Sequence, residues 1–456
     1  MTPSAATITA AALRLAAAIA WLAASATAQT EGASKPNIIL IMADDVGAEC
    51  FSWHGGTTYS TPNLERMARQ GMRFTRCHSQ PVCTPSRVKI MTGVSNVRNY
   101  VAFGVLAPGE WTFGHGLKAQ GYRTAVVGKW QLYGASHYPE TLQGAGTAPE
   151  QAGFDRYCLW QIAGLGSRYW KPKIEIDGEV MKGQPDEYGP DASCDYLLRF
   201  IEENKDEPFL AYYPMALPHF PFVGPPGSTE EQKSTKSPDN FAAMVTYMDS
   251  IVGRILDKVN ELGIERRTLV MFTADNGTDR RIESQRRGEA VVGGKNTTTD
   301  AGTHVPMLAY WPGTVAAGSA CEDLVDFSDF APTMLEVAGA PSSGGERLDG
   351  RSFLPQLRGQ RGAPREWLYC WFHPRPITRP ESTARRFARG KRFKLYGNGE
   401  LYDLDADPLE QRQLPDDQAD PSAAAARQAL QEVLDSMPSE STRIGKPGED
   451  AGPNDR

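Results

Sequence analysis

The sequence has no surplus of positive charge: 48 lysines and arginines face 55 aspartates and glutamates, for a formal net charge of −7. That excludes the broad basic footprint of a nucleic-acid binder, so an anionic substrate would have to be drawn in by a local cluster of cations. Long apolar runs are nearly absent. The one that stands out, residues 15–24, follows Arg14, the only charge before it, and precedes the small residues Ala26-Thr27-Ala28 and the polar Gln29-Thr30-Glu31. It is too short to cross a bilayer and has the flanks of a secretory signal, assigned to residues 1–28. No other segment reaches spanning length, so the mature chain is expected to be exported, periplasmic or extracellular, with no membrane span. Cysteines are sparse for 456 residues: Cys50, Cys77, Cys83, Cys158, Cys194, Cys321 and Cys370. They are spread too thinly for a disulfide scaffold, and their odd number leaves one for something other than pairing. No internal repeat is present.

What the chain does have is core material. Its length and its 40% hydrophobic content suffice for a large α/β domain with an appendage. Five short apolar runs read as strands of a buried, largely parallel sheet. They are residues 37–43 (NIILIMA), 124–127 (TAVV), 208–213 (PFLAYY), 268–273 (TLVMFT) and 307–310 (MLAY). Helix signals lie between them. Thr61-Pro62 opens one that Gly71 closes, another runs from Pro85 to Gly93, a longer amphipathic one spans about 241–263, and Asp329 caps a short one. The fold class is therefore α/β, a large mostly parallel sheet sandwiched by helices over residues 36–365. Strand-like pieces at 367–372, 393–396 and 401–404 and a helix near 424–437 predict a smaller C-terminal α+β subdomain, a short antiparallel sheet plus helix, over 366–440. The Pro/Gly/Asp-rich tail 441–456 is expected to be disordered.

In open parallel sheets, ligands bind beyond the carboxyl ends of the strands. Here those ends run into Asp44-Asp45, Lys129, Pro218-His219 and Asp275-Asn276. Any one Asp-Asp or Asp-Asn-Gly would more often be a turn than a ligand. Two such pairs, each abutting a core strand, favour a metal site. Three carboxylates and an amide oxygen, with no His or Cys among them, suit Ca²⁺ or Mg²⁺ better than zinc. Cys83 falls at the N-terminus of the helix that Pro85 begins, where free N–H groups favour negative charge. A lone cysteine is by default structural; one placed there could also be a low-pKa nucleophile.

The string Cys83-Thr84-Pro85-Ser86-Arg87 resembles the signature of the formylglycine-dependent sulfatases, an arylsulfatase-like family within the alkaline-phosphatase-like superfamily. PNIILIMADD and TPNLERMARQGMRFT upstream are similar to the same family, as are GYRTAVVGKW, ALPHFPF, FTADNG, GGKNTTTDAGTHVP and ELYDLDADPLE downstream. They occur in the family's order from about Pro36 to Leu414. The resemblance implies hydrolysis of an organic sulfate ester, with a sulfated small molecule or glycan as substrate. It implies that a formylglycine-generating enzyme oxidises Cys83, whose hydrated aldehyde Arg87 would hold. Asp44, Asp45, Asp275, Asn276 and the modified residue 83 would bind one Ca²⁺, or Mg²⁺ in its place. Lys129 and Lys295 would clamp sulfate oxygens, and His219 would protonate the departing alcohol.

Two departures stand out. Where the family reads Gly-Lys-Trp-His-Leu-Gly, this chain has Gly128-Lys129-Trp130-Gln131-Leu132-Tyr133. Glutamine hydrogen-bonds but accepts no proton at neutral pH, so either the second step is slower or another base serves, His137 being a candidate by proximity in sequence alone. His304 stands where the family has arginine, and reads as a structural replacement. Trp53, Trp160, Tyr169 and Trp170 could line a sugar cleft, although such residues are more often core. Two other readings remain: a phosphodiesterase or phosphonate-ester hydrolase on the same scaffold, and a low-turnover binder of sulfated glycans, for which Gln131 is the motive. Two-metal phosphatases of the superfamily usually place a histidine where Asn276 stands, so Asn276 favours a single cation.

Overall fold

The structure, a computed structural model, describes residues 35–340, 348–373, 383–415, 420–441 and 443–444. The expected signal segment 1–28 lies outside them. The described residues from Pro36 onward form one compact unit. In chain order its first eight strands are β1 (Asn37–Ala43), β2 (Met72–His78), β3 (Arg123–Lys129), β4 (Arg156–Trp160), β5 (Lys173–Ile176), β6 (Glu179–Lys182), β7 (Phe209–Pro214) and β8 (Thr268–Ala274). β9 (Glu283–Arg286) and β10 (Glu289–Val292) form a separate two-stranded sheet, and β11 (His304–Tyr310) and β12 (Ser319–Asp326) rejoin the main sheet. Its order is β12-β2-β11-β8-β1-β7-β3-β4-β5-β6. The block β8-β1-β7-β3-β4 is parallel throughout.

The physical reason for the parallel block is visible in β1. All seven of its residues are buried, as expected of a strand covered by helices on both faces. The covering helices follow their local signals. Pro62–Gln70 has Pro at its first position, and Phe241–Glu261 buries Phe241, Met244, Val245, Met248, Ile251, Val252, Ile255, Leu256 and Val259, a helical stripe. Because the five strands are parallel, their carboxyl ends share one edge.

The sheet differs from the sequence expectation in three respects. The run at 307–310 belongs to the sheet but lies antiparallel to both β2 and β8. β2, β4 and β12 and the helix Gly189–Glu203 were not expected; β12 (SACEDLVD) is too polar to read as a strand and is held by parallel pairing to β2. The outer hairpin β5–β6 was also unread, its β6 residues all being exposed.

Four more strands, β13 (Leu368–Phe372), β14 (Arg385–Arg389), β15 (Phe393–Tyr396) and β16 (Leu401–Asp403), form an antiparallel sheet in that order, against which the helix Pro421–Ser436 packs. Of the stretch 441–456 expected to be a disordered tail, only 441, 443 and 444 are described; Ser441 and Arg443 are buried, and Arg443 pairs with Glu110 at 3.1 Å. No helix among the described residues is long and apolar enough to cross a membrane. All seven cysteines are unpaired thiols in the interior.

Candidate active site

β1 and β8 run in register to Ala43 and Ala274, so the next residues on each, Asp44 and Asp275, emerge side by side. Asp275 N–H donates to Ala43 O, and Asp44 N–H donates to Leu217 O beyond β7. Asp45 follows with φ of 66°, a left-handed conformation uncommon for a residue with a Cβ. Its N–H donates to Asp275 Oδ1 at 3.2 Å, and Asn276 Nδ2 donates to Asp45 Oδ1 at 2.8 Å. Asp44, Asp45, Asp275 and Asn276 are all fully buried.

Cations surround this cluster. β3 ends on Lys129, whose Nζ lies 2.7 Å from Asp44 Oδ2. One residue earlier, Gly128 has φ of 112°, and a Cβ there would come within 2.1 Å of Pro214 O, so the approach of β3 to β7 requires glycine. Lys295 Nζ is 2.6 Å from Asp45 Oδ2 and 3.1 Å from His219 Nε2. The ligand atoms of Asp44, Asp45 and His219 lie within 4.8 Å of one another.

Cys83 is the first residue of the wholly buried helix Cys83–Thr92. Arg87, one turn on, shares its face. Arg87 Nη2 bonds Asp275 Oδ2 at 2.9 Å and Nη1 donates to Lys129 O at 2.8 Å. Burial pushes the Cys83 thiol up, while Lys129 and Lys295 on one side oppose Asp275 and Asp44 on the other. All the expected site residues thus meet at one edge.

The charges show what the cluster lacks. Burial and the neighbouring Asp44 push Asp275 up to about 7, and burial also raises Asp45, with Asp44 adding to it. Against the cost of burial, Lys129 holds Asp44 well below the usual carboxylate range, with help from His219, Arg87 and Lys295. Asp44 Oδ1 and Asn276 Oδ1 are buried without any hydrogen-bond partner. Two orphaned hard oxygens beside carboxylates that resist ionisation are the donor set a divalent cation fits.

Several expectations are settled more blandly. Trp160 and Tyr169 are buried, Trp53 stacks on Phe51 at 4.7 Å, and Trp170 donates to Gly224 O, so these rings serve packing rather than an open cleft. His137 is exposed, its Nε2 lying 3.4 Å from Gln161 Nε2, and Gln131 Nε2 and Gln161 Nε2 both donate to Tyr138 Oη, at 3.3 and 3.1 Å. Tyr138, Gln161 and the fully buried Tyr100 were not singled out from the sequence, having no motif around them.

His304 is structural. Its ring lies 5.1 Å from both His54 and His78. Arg389, paired with Asp300 at 2.8 Å, donates to His78 Nε2. Burial pushes His54 and His78 well below the usual imidazole range and His304 to about 4. Unfolded imidazoles take up protons near pH 6.5 and these folded ones do not. Their contribution to stability is therefore intact above about pH 6.5 and falls as pH drops from there through about 4, by up to roughly 1.4 kcal/mol per pH unit for each ring. Thermal unfolding between pH 7 and 5 should show a steep decline, shallower in His304→Gln; identical slopes would refute this role for His304.

Comparison with known proteins identifies the family. The sulfatase family model matches residues 36–340, and the model for the C-terminal part of N-sulphoglucosamine sulphohydrolase matches residues 288–439. Human arylsulfatase A is 32% identical over 383 residues, covering 75% of this chain and 71% of its own. Mouse N-acetylgalactosamine-6-sulfatase is 30% identical over 361 residues, covering 71% and 67%. Among solved structures, that of Ps i-CgsB superposes with a TM-score of 0.73 at 23% identity over 90% of this chain and 94% of that one. These matches define a sulfuric ester hydrolase. The chain belongs to the sulfatase family.

Proposed function

We propose that this sulfatase acts on a sulfated carbohydrate, with Cys83 oxidised to formylglycine and one Ca²⁺, or Mg²⁺, held by Asp44, Asp45, Asp275, Asn276 and residue 83. The observation that carries the reading is the pair of buried, unbonded oxygens Asp44 Oδ1 and Asn276 Oδ1 within a cluster of three carboxylates. When present, the cation would neutralise non-bridging sulfate oxygens, and the hydrated aldehyde would supply a nucleophile whose second hydroxyl lets sulfate be expelled from the same carbon.

The chain's own groups account for the rest. Asp44, Asp45 and Asp275 are balanced by Arg87, Lys129 and Lys295, so a divalent cation leaves the pocket net positive for an anionic ester. Arg87 is placed to orient residue 83, Lys129 and Lys295 to bind sulfate oxygens, and His219 to hand the leaving oxygen a proton from Nε2 once the ring has taken up a second proton there. Burial raises the Cys83 thiol, which makes an unmodified cysteine a poor nucleophile there. The carbohydrate reading is supported by the name of the mouse relative, a sulfatase of N-acetylgalactosamine 6-sulfate. Export through the segment 1–28 and maturation by a formylglycine-generating enzyme belong to the same proposal.

Gln131 supports a slower final step, since its amide accepts no proton and its Oε1 has no partner. A burst of one equivalent of alcohol without turnover would establish the low-turnover reading; sustained release would dispose of it. Paired sulfate and phosphate esters of one alcohol test the class, and a phosphate preference would reject the proposal. His219→Gln should lower kcat roughly 100-fold for sugar sulfates and far less for nitrophenyl sulfate, whose leaving group needs no acid. Equal losses on both substrates would remove His219 from that role.

A further inference from the structure

Lys129, Lys295 and Arg87 each pair with a carboxylate of the site; one further cation at its opening does not. The opening is marked by the side chains of His219 and Lys295, 19% and 20% exposed beside carboxylates at 0%. Arg168 stands there, on the loop that leaves the carboxyl end of β4 next to Lys129 on β3. Its guanidinium is 3.9 Å from the centre of the Trp160 ring, and Nη1 is 2.9 Å from His219 Nδ1. Among the described residues no carboxylate forms an ion pair with Arg168, whereas Arg365 and Arg389 each have an aspartate, at 2.6 and 2.8 Å.

Hydrogen-bond bookkeeping around His219 sharpens the point. Its Nδ1 also lies 2.5 Å from Phe220 O. Ammonium and guanidinium groups only donate. If Nε2 accepts from Lys295, the neutral ring carries its proton on Nδ1 and donates it to Phe220 O. Arg168 Nη1 then faces an N–H and not a lone pair. In that tautomer the guanidinium has no acceptor among the described residues, yet it is held in place. Trp160 Nε1 donates to Gly166 O at 2.8 Å, Tyr169 Oη to Ala216 O at 2.7 Å, and Trp170 Nε1 to Gly224 O at 2.9 Å, pinning the loop on both sides of the arginine. The Trp160 face braces the cation from behind.

We infer that Arg168 is a specificity residue that binds a second anionic group, sulfate or carboxylate, on the sugar that carries the scissile sulfate or on its neighbour. The inference rests on the sulfatase reading above and narrows it: the favoured substrate is a polyanionic saccharide. A planar guanidinium with free N–H groups matches either anion through two parallel hydrogen bonds.

The test is competition against 4-nitrophenyl sulfate hydrolysis by the full-length protein and by Arg168→Gln and Arg168→Lys. The competitors are galactose 6-sulfate, galactose 2,6-disulfate, and galactose 6-sulfate linked to a glucuronate. The native protein should bind one or both dianionic sugars more tightly than the monosulfate, the two arms showing which anion it takes. Arg168→Gln should lose roughly tenfold or more of that preference, and Arg168→Lys should keep part of it. A preference that survives in Arg168→Gln, or no preference in the native protein, overturns the inference. So does an equal fall in kcat with every competitor ratio unchanged and the pH profile shifted, since Arg168 would then act only on His219. Absence of any sulfate release, with the peptide carrying residue 83 unoxidised, overturns the formylglycine reading of the site and the inference with it.

Discussion

Cys83→Ala is expected to bring sulfate release to background, a loss of at least roughly 10⁴-fold, while the protein stays folded. Residue 83 starts a buried helix whose next turn supplies Arg87, bonded to Asp275 of the three carboxylates. Deleting one buried sulfur costs about 1–2 kcal/mol in stability, far less than the catalytic loss. Cys83→Ser separates the chemical roles. A serine oxygen could take up the sulfuryl group but has no second hydroxyl on its carbon to expel it, so release should stop after about one equivalent of alcohol. Mass spectrometry of the peptide carrying residue 83 should show CH₂SH replaced by CHO in the native protein. Sustained turnover by the alanine variant would end the proposal.

Asp44→Ala should be the next most damaging change, lowering activity by roughly 10³-fold or more. It removes one of the two unbonded oxygens and the partner of Lys129 at 2.7 Å. Leaving that lysine buried and unpaired costs about 3–5 kcal/mol. The diagnostic readout is stability against calcium. A chelator should lower the Tm of the native protein and added Ca²⁺ restore it, because the cation relieves the crowding of Asp44, Asp45 and Asp275. In Asp44→Ala the calcium-dependent shift should vanish, and an undiminished shift would place the cation elsewhere. Calcium affinity should also weaken as pH falls below about 7, since Asp275, pushed up to about 7 by burial and Asp44, then holds a proton the cation must displace.

Legibility followed the degree to which a feature is local. β1, β7 and β8 were readable because strands buried on both faces must be continuously apolar, and the residues just past their ends could be named for the same reason. β12 and the hairpin β5–β6 were not, because half-exposed strands are specified by their partners rather than by their own composition. The direction of β11 was likewise invisible, since an apolar run such as 307–310 reads the same in either orientation.

Within the site, the residue types and their order along the chain came from the sequence: three aspartates, an asparagine, a cysteine at a helix start and a set of cations, each beside a strand or helix end. Chemistry of that kind is written in side-chain identity and needs no coordinates. Which carboxylate each cation answers, that two oxygens are left unbonded, that His304 sits among imidazoles, and that Arg168 stands at the opening without an anion were decided only when distant segments were packed together. Pairing and burial depend on distances between residues far apart in the chain, and those distances exist only in the folded molecule.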